Sequence, residues 1–142
     1  MRYTLPTLVL LLLVSACEIN QGPKARDVFI GSWQVTDRCQ ADTQDYVLDI
    51  FEDSSFGDDI LLEGEGLYRI GFPIEAIVTG SRLVIPIQDL LLSTIPDLRY
   101  EFAGSGSINS DGDRLTIDYD VLTLQDGYVI AVDQCIAIGE PR

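Results

Sequence analysis

Histidine is absent from the 142-residue chain, which removes Ser-His-Asp and Cys-His catalysis and the usual zinc sites. The side chains still able to do chemistry are three cysteines and 23 acids. Carboxylates in that number make any single pair uninformative as a glycosidase dyad. One metal pattern has to be weighed: Asn109, Asp111 and Gly112 fit the third, fifth and sixth positions of a calcium loop. Ser107 then falls at position one and Asp118 at position twelve, where a bidentate Glu belongs, and Leu115 to Val121 alternates as a strand instead of forming an exiting helix. Asp111-Gly112 reads instead as a hairpin tip. The expectation is a protein without catalytic residues, metal or cofactor.

The third cysteine has a different context. Arg2, the run Leu8 to Val14, and then Ser15, Ala16 and Cys17 supply a positive n-region, an apolar h-region and the small residues of a cleavage site. The run Leu5 to Ala16, which contains Pro6, is too short for a membrane span of ~20 residues. The stretch resembles the lipobox of bacterial lipoprotein signal peptides. That resemblance implies removal of residues 1–16, a diacylglycerol on the Cys17 sulfur and an acylated amino group, together a durable membrane anchor. Glu18, where Asp would be a retention signal, resembles lipoproteins passed on to the outer membrane of Gram-negative bacteria. An envelope location permits oxidation, so Cys39 and Cys135 are expected to form a disulfide. No Cys-x-x-Cys pair argues for a redox centre.

Nine bases against 23 acids give a net charge of −14. Removing the leader takes away Arg2 and no acid, so the mature chain is more acidic still. Nucleic acid is excluded as a partner, because phosphate backbones require clusters of Lys and Arg. The same charge disfavours a domain lying flat on an anionic bilayer, leaving the lipid on Cys17 as the membrane contact. The acids serve solubility, or they meet cations or a basic partner. Residues 17–27 lack periodicity and read as the lipidated Cys and a tether; residues 28–142 form a single domain.

Within that domain, runs rich in Val, Ile, Leu, Tyr and Phe recur at the spacing of short strands. Eight are expected: 28–36, 46–52, 59–63, 72–79, 82–88, 98–108, 114–121 and 128–138. Gly80-Ser81, Asp111-Gly112 and Asp126-Gly127 are hairpin turns, so neighbours are antiparallel. The fold class is all-β, an eight-stranded antiparallel up-and-down barrel, either closed or left open at Pro86, with a two-sheet sandwich as the alternative. Pro86 cannot donate a ladder hydrogen bond and marks an edge or a bulge. Residues 89–97, with Leu90, Leu91 and Leu92, form the longest connection of the second half, a lid or a cover for the core. Cys39 after the first strand and Cys135 in the last would staple the elements that meet on closure, provided that the strands overhang.

Gly31-Ser32-Trp33 resembles the Gly-x-Trp signature of lipocalins, although residues 128–138 lack the base those proteins place over the Trp. A fuller likeness is to small lipoproteins of Gram-negative bacteria with a lipocalin-like domain. It runs through Cys17, Gly31 to Trp33, Cys39, Ile85-Pro86-Ile87-Gln88, Gly104-Ser105-Gly106 and Cys135. This resemblance implies fold and location and no settled activity. Eight strands sit at the size where side chains fill the lumen or leave room for one small molecule. The inward residues read from alternation are all uncharged. Trp33, Tyr100, Phe102 and Tyr119 are the candidates to line a site for a small apolar ligand; the alternative is a packed core in a structural or protein-interaction lipoprotein.

Overall fold

In the computed structural model, residues 24–54 and 59–142 are described. The leader, Cys17 and the first part of the tether lie outside the described residues. Alternation of apolar and polar side chains builds eight strands: β1 (Gly31–Cys39), β2 (Thr43–Glu52), β3 (Asp59–Gly64), β4 (Ile74–Thr79), β5 (Arg82–Thr94), β6 (Asp97–Ile108), β7 (Leu115–Gln125) and β8 (Tyr128–Pro141). Each pairs antiparallel with the next, and β8 returns to β1, so the sheet is a closed barrel. Among the described residues no helix is long and apolar enough to cross a membrane.

The interior is filled from every strand. Leu48 and Ile50 of β2, Ile60 and Leu62 of β3, Ile74 and Ala76 of β4, Leu83 and Ile85 of β5, Phe102 of β6 and Ile117 of β7 are all buried. Burial of this kind is worth about 1.5–3 kcal/mol for each large apolar side chain. At one end Trp33 seals the lumen, its indole N–H donating to the Phe29 carbonyl at 2.9 Å. Residues 25–27, read from sequence as tether, and Val28, read as the start of a strand, instead form a 3₁₀ turn at this end, with Arg26 buried and paired to Glu52 at 3.0 Å. A buried base thus comes from the N-terminal segment, where the last strand has none.

The opposite end is uneven. The β1–β8 ladder runs from Trp33↔Pro141 to Cys39↔Cys135, so the stretch of β8 from Tyr128 to Gln134 projects beyond β1. On the other side, β4 pairs with β5 only over Thr79↔Arg82 to Ile77↔Val84. The strands β5 to β8 therefore overhang the mouth as a four-stranded sheet, which resolves how Cys135, late in its strand, meets the end of β1. Residues 89–97 are part of this overhang and make no lid. Strand β5 continues to Thr94, β6 starts at Asp97, and Ile95-Pro96 alone connect them.

Pro86 sits in a bulge, as its missing N–H requires: the β5–β6 register shifts by one residue between Ile85↔Gly104 and Gln88↔Phe102. Gln88 then repairs the seam. Its side-chain amide accepts from the Glu75 N–H at 2.9 Å and donates to the Glu75 carbonyl at 2.7 Å, taking the place of a strand partner beside β4. The pattern Ile-Pro-x-Gln is thus a structural device that keeps the barrel closed across a proline. Gly104 acts similarly on β6: it faces Tyr119 in the register, and a Cβ there would stand 2.5 Å from the Asp118 carbonyl oxygen and 2.6 Å from the Tyr119 Cβ. Only glycine lets β6 and β7 approach so closely.

The disulfide joins Cys39 and Cys135, residues directly opposed in the closing ladder and separated by 96 positions. In the chain-entropy account a loop of that length is worth about 4–5 kcal/mol. Cys39→Ser is therefore expected to lower unfolding stability by about that amount in an oxidised sample, read from the midpoint and slope of urea unfolding. A loss below about 1 kcal/mol would remove the bond from the forces that hold the seam.

Candidate functional site at the barrel mouth

The mouth is where the chain departs from a purely apolar interior. Asp37 follows Trp33 and Val35 on the inward side of β1, and only 3% of its surface is exposed. Its Oδ2 accepts from the Tyr46 hydroxyl at 2.8 Å, from the Tyr119 hydroxyl in a very short contact, and from the Tyr68 N–H at 3.4 Å. Asp133, on the inward side of β8, is 9% exposed and accepts from the Gln40 N–H at 2.9 Å and the Tyr68 hydroxyl at 3.1 Å. Among the described residues neither carboxylate has a basic side chain within ion-pair distance. The inward set is therefore charged at this end, contrary to the expectation of an uncharged lumen. Parity carried the signal, since Asp37 shares a face with Val35, and Asp133 with Cys135.

Tyr68 ties the two carboxylates together. It sits in a short turn, Leu67–Arg69, between β3 and β4, with Tyr68 and Arg69 at φ 58° and 52°. Left-handed backbone at residues other than glycine costs about 1–2 kcal/mol each and persists only where surroundings hold it. Here the ring packs edge-on against Tyr100 at 5.6 Å and Phe102 at 6.3 Å, and the hydroxyl is held by Asp133. Gly66 and Gly71 flank the turn, also with positive φ.

Three of the four aromatics singled out from sequence come together at this end. Tyr100 and Phe102 meet edge-on at 6.1 Å, and Phe102 stacks on Tyr119 at 6.2 Å. Trp33 lies at the sealed end, separated along β1 by Val35 and Asp37. Phe102 and Tyr119 are buried, whereas Tyr100 is half-buried and is the ring nearest to solvent. The Tyr119 hydroxyl is already committed to Asp37.

The concavities fit this division. One of about 630 Å³ lies on the outer sheet surface over Ala103, Ser105, Asp118 and Gln134. At the mouth is a smaller and more enclosed cavity of about 230 Å³, lined by Asp37, Cys39, Ala41, Asp42, Gln44, Tyr68 and Asp133. The Asn109 region is built as a hairpin connection: the Asn109 Oδ1 accepts from the N–H groups of Asp113 and Arg114 at 3.0 and 3.1 Å.

Fold and site together define a closed, antiparallel eight-stranded barrel with a filled lumen and a polar, aromatic mouth. The chain matches no known family and no curated protein. Among solved structures it is similar to a redesigned β-barrel, mFAP1, bound to DFHBI, at 20% identity and a TM-score of 0.48, over 83% of this chain and 99% of that one. A second redesigned β-barrel is similar at 17% identity and a TM-score of 0.48, over 83% and 95% of the two chains.

Burial, followed by the nearby Asp37 carboxylate, pushes the Tyr46 phenol far above its ordinary value of 10.0. Burial, then Tyr46 and Asp37, does the same to Tyr119. Tyr68 is raised to about 12 by burial and by its bond to Asp133. A phenol whose folded pKa exceeds its unfolded one contributes stability that is intact below pH ~10 and lost as pH rises through the folded value. Stability is thus expected to be flat across neutral pH and to fall from about pH 10 upward. In a spectrophotometric titration Tyr46 and Tyr119 should ionise only as the barrel unfolds. Reversible ionisation of every tyrosine near pH 10, with the fold intact, would contradict the buried network.

Proposed function

We propose that this protein is a lipid-anchored binding module of the bacterial envelope. Its leader is removed before Cys17, the acylated Cys17 holds it in a membrane, and a lipocalin-like barrel is presented on a short tether. The outer membrane of a Gram-negative bacterium is the proposed site, and binding, not catalysis, is the proposed role. The observation that carries the binding part is the contrast between a packed lumen and an open mouth. A small guest would meet the half-buried Tyr100 and the Tyr68 turn beneath the overhang, because Phe102 and Tyr119 are already covered by their neighbours.

A specific observation also favours the second reading, a protein-interaction lipoprotein. Val129, Ile130 and Val132 are exposed along the part of β8 that projects past β1, and exposed apolar side chains close together on one strand mark interaction surfaces.

Mass spectrometry of the chain extracted from membranes tests both parts. The expected denatured mass begins at Cys17, carries acyl chains and is two hydrogens lighter for the disulfide, and the native mass carries an additional compound that solvent removes. A chain with an unmodified Cys17 would overturn the anchor. A lipidated chain with no adduct would favour the interaction reading.

A further inference from the structure

The enclosed cavity at the mouth has an unusual lining for a pocket in a hydrophobic barrel: several of its acceptors are met by donors, but two buried oxygens are not. Asp37 Oδ2 collects three donors, whereas its Oδ1 meets the Cys39 sulfur at 3.9 Å. That sulfur is in the disulfide and has no hydrogen to give. Among the described residues, then, no donor meets this oxygen of a carboxylate that is 3% exposed. Gln44 Oε1, on the same cavity, is likewise buried without a hydrogen-bond partner, while the Gln44 amide nitrogen is turned to Asp42 at 3.2 Å. Asp133 adds a second nearly buried carboxylate with no basic partner among the described residues. Buried acceptors and charges left in this state are costly unless something completes them.

We propose that this cavity binds a small organic cation bearing a primary ammonium group. Such a group offers three N–H donors and a positive charge to Asp37, Gln44 and Asp133, and its carbon body would rest on Ala41 and the Tyr68 ring. The carboxylates here do not by themselves frame a bare metal ion. Calcium needs six to eight oxygens at about 2.3–2.6 Å, yet among the described residues no three carboxylates bring oxygens within 4.8 Å of one another. The one tighter group is Asp37 with Cys39 and Cys135, whose sulfurs are bonded to each other. A cavity of about 230 Å³ also holds several times the ~30 Å³ share of one water, room for a short amine and more than an ion requires. The proposal does not depend on the lipid on Cys17, and it shares only Tyr68 with the guest proposed under the overhang.

Calorimetric titration of the purified, oxidised chain with 1,4-diaminobutane tests it, with tetramethylammonium and calcium chloride as comparison cations. Saturable one-to-one binding of the diamine is expected to survive 0.15 M salt, because buried pairs are screened little. Tetramethylammonium, which has no N–H, should bind at least about tenfold more weakly. Asp133→Asn should weaken the diamine by about tenfold or more. Gln44→Leu should also weaken it while leaving thermal stability equal or higher, since it deletes an unsatisfied buried oxygen. Equal, salt-erased binding of all three cations, unchanged in both variants, would show only diffuse attraction to an acidic surface and overturn the proposal. Preferential binding of calcium would overturn it in favour of a metal.

Discussion

Closure of the sheet between β1 and β8 is the constraint on which the rest of the structure depends. Once Trp33↔Pro141 through Cys39↔Cys135 are paired, every strand has two faces of fixed identity, and alternate residues of all eight strands must share one interior. The bulge at Pro86, the Gln88 amide on Glu75 and the missing Cβ at Gly104 all serve that closure. Each compensates a place where regular pairing or spacing would fail. The disulfide sits at the last rung of the closing ladder, where the β1–β8 pairing would otherwise begin to fray.

Closure also creates the mouth. Because β1 ends at Cys39 while β8 begins at Tyr128, the seam stops partway along β8, and the overhang is a consequence of unequal strand lengths. Interior positions near that end are shielded by tyrosines more than by aliphatic side chains. A carboxylate at Asp37 is tolerated there because hydroxyl and backbone donors replace water at one of its oxygens. The network is incomplete at the other oxygen and at Gln44, so the mouth is polar and acceptor-rich where the sealed end, under Trp33 and Phe29, is apolar.

Much of this architecture is legible in the sequence, for local reasons. Strand number follows from the spacing of apolar runs, the hairpins from Gly80, Gly112 and Asp126-Gly127, and the bulge from a proline with no N–H. Trp33, Phe102 and Tyr119 are recognisable as interior by alternation alone. What escapes is non-local. Parity puts Asp37 and Asp133 on the inward face, but the tyrosine hydroxyls that make their burial tolerable come from β2, β7 and the Tyr68 turn. The Tyr68 turn is invisible because its left-handed residues are held by rings distant in sequence. Residues 89–97 resemble a loop, with Ser93, Thr94 and Pro96 among them, and all but the Ile95-Pro96 turn become strand through the β5–β6 pairing. The N-terminal segment read as tether becomes structure because Arg26 finds Glu52.

Amide hydrogen exchange on the oxidised chain tests closure most directly, since it reports seam and edge in one experiment. The amides of Trp33–Asp37 and Ile136–Glu140 should exchange only with global unfolding. The amides of Tyr128–Val132 that are not bonded to β7 should exchange at least about a hundredfold faster. Seam amides exchanging as fast as those on the overhanging edge would mean that β1 and β8 are not paired, and the barrel described here would be an open sheet.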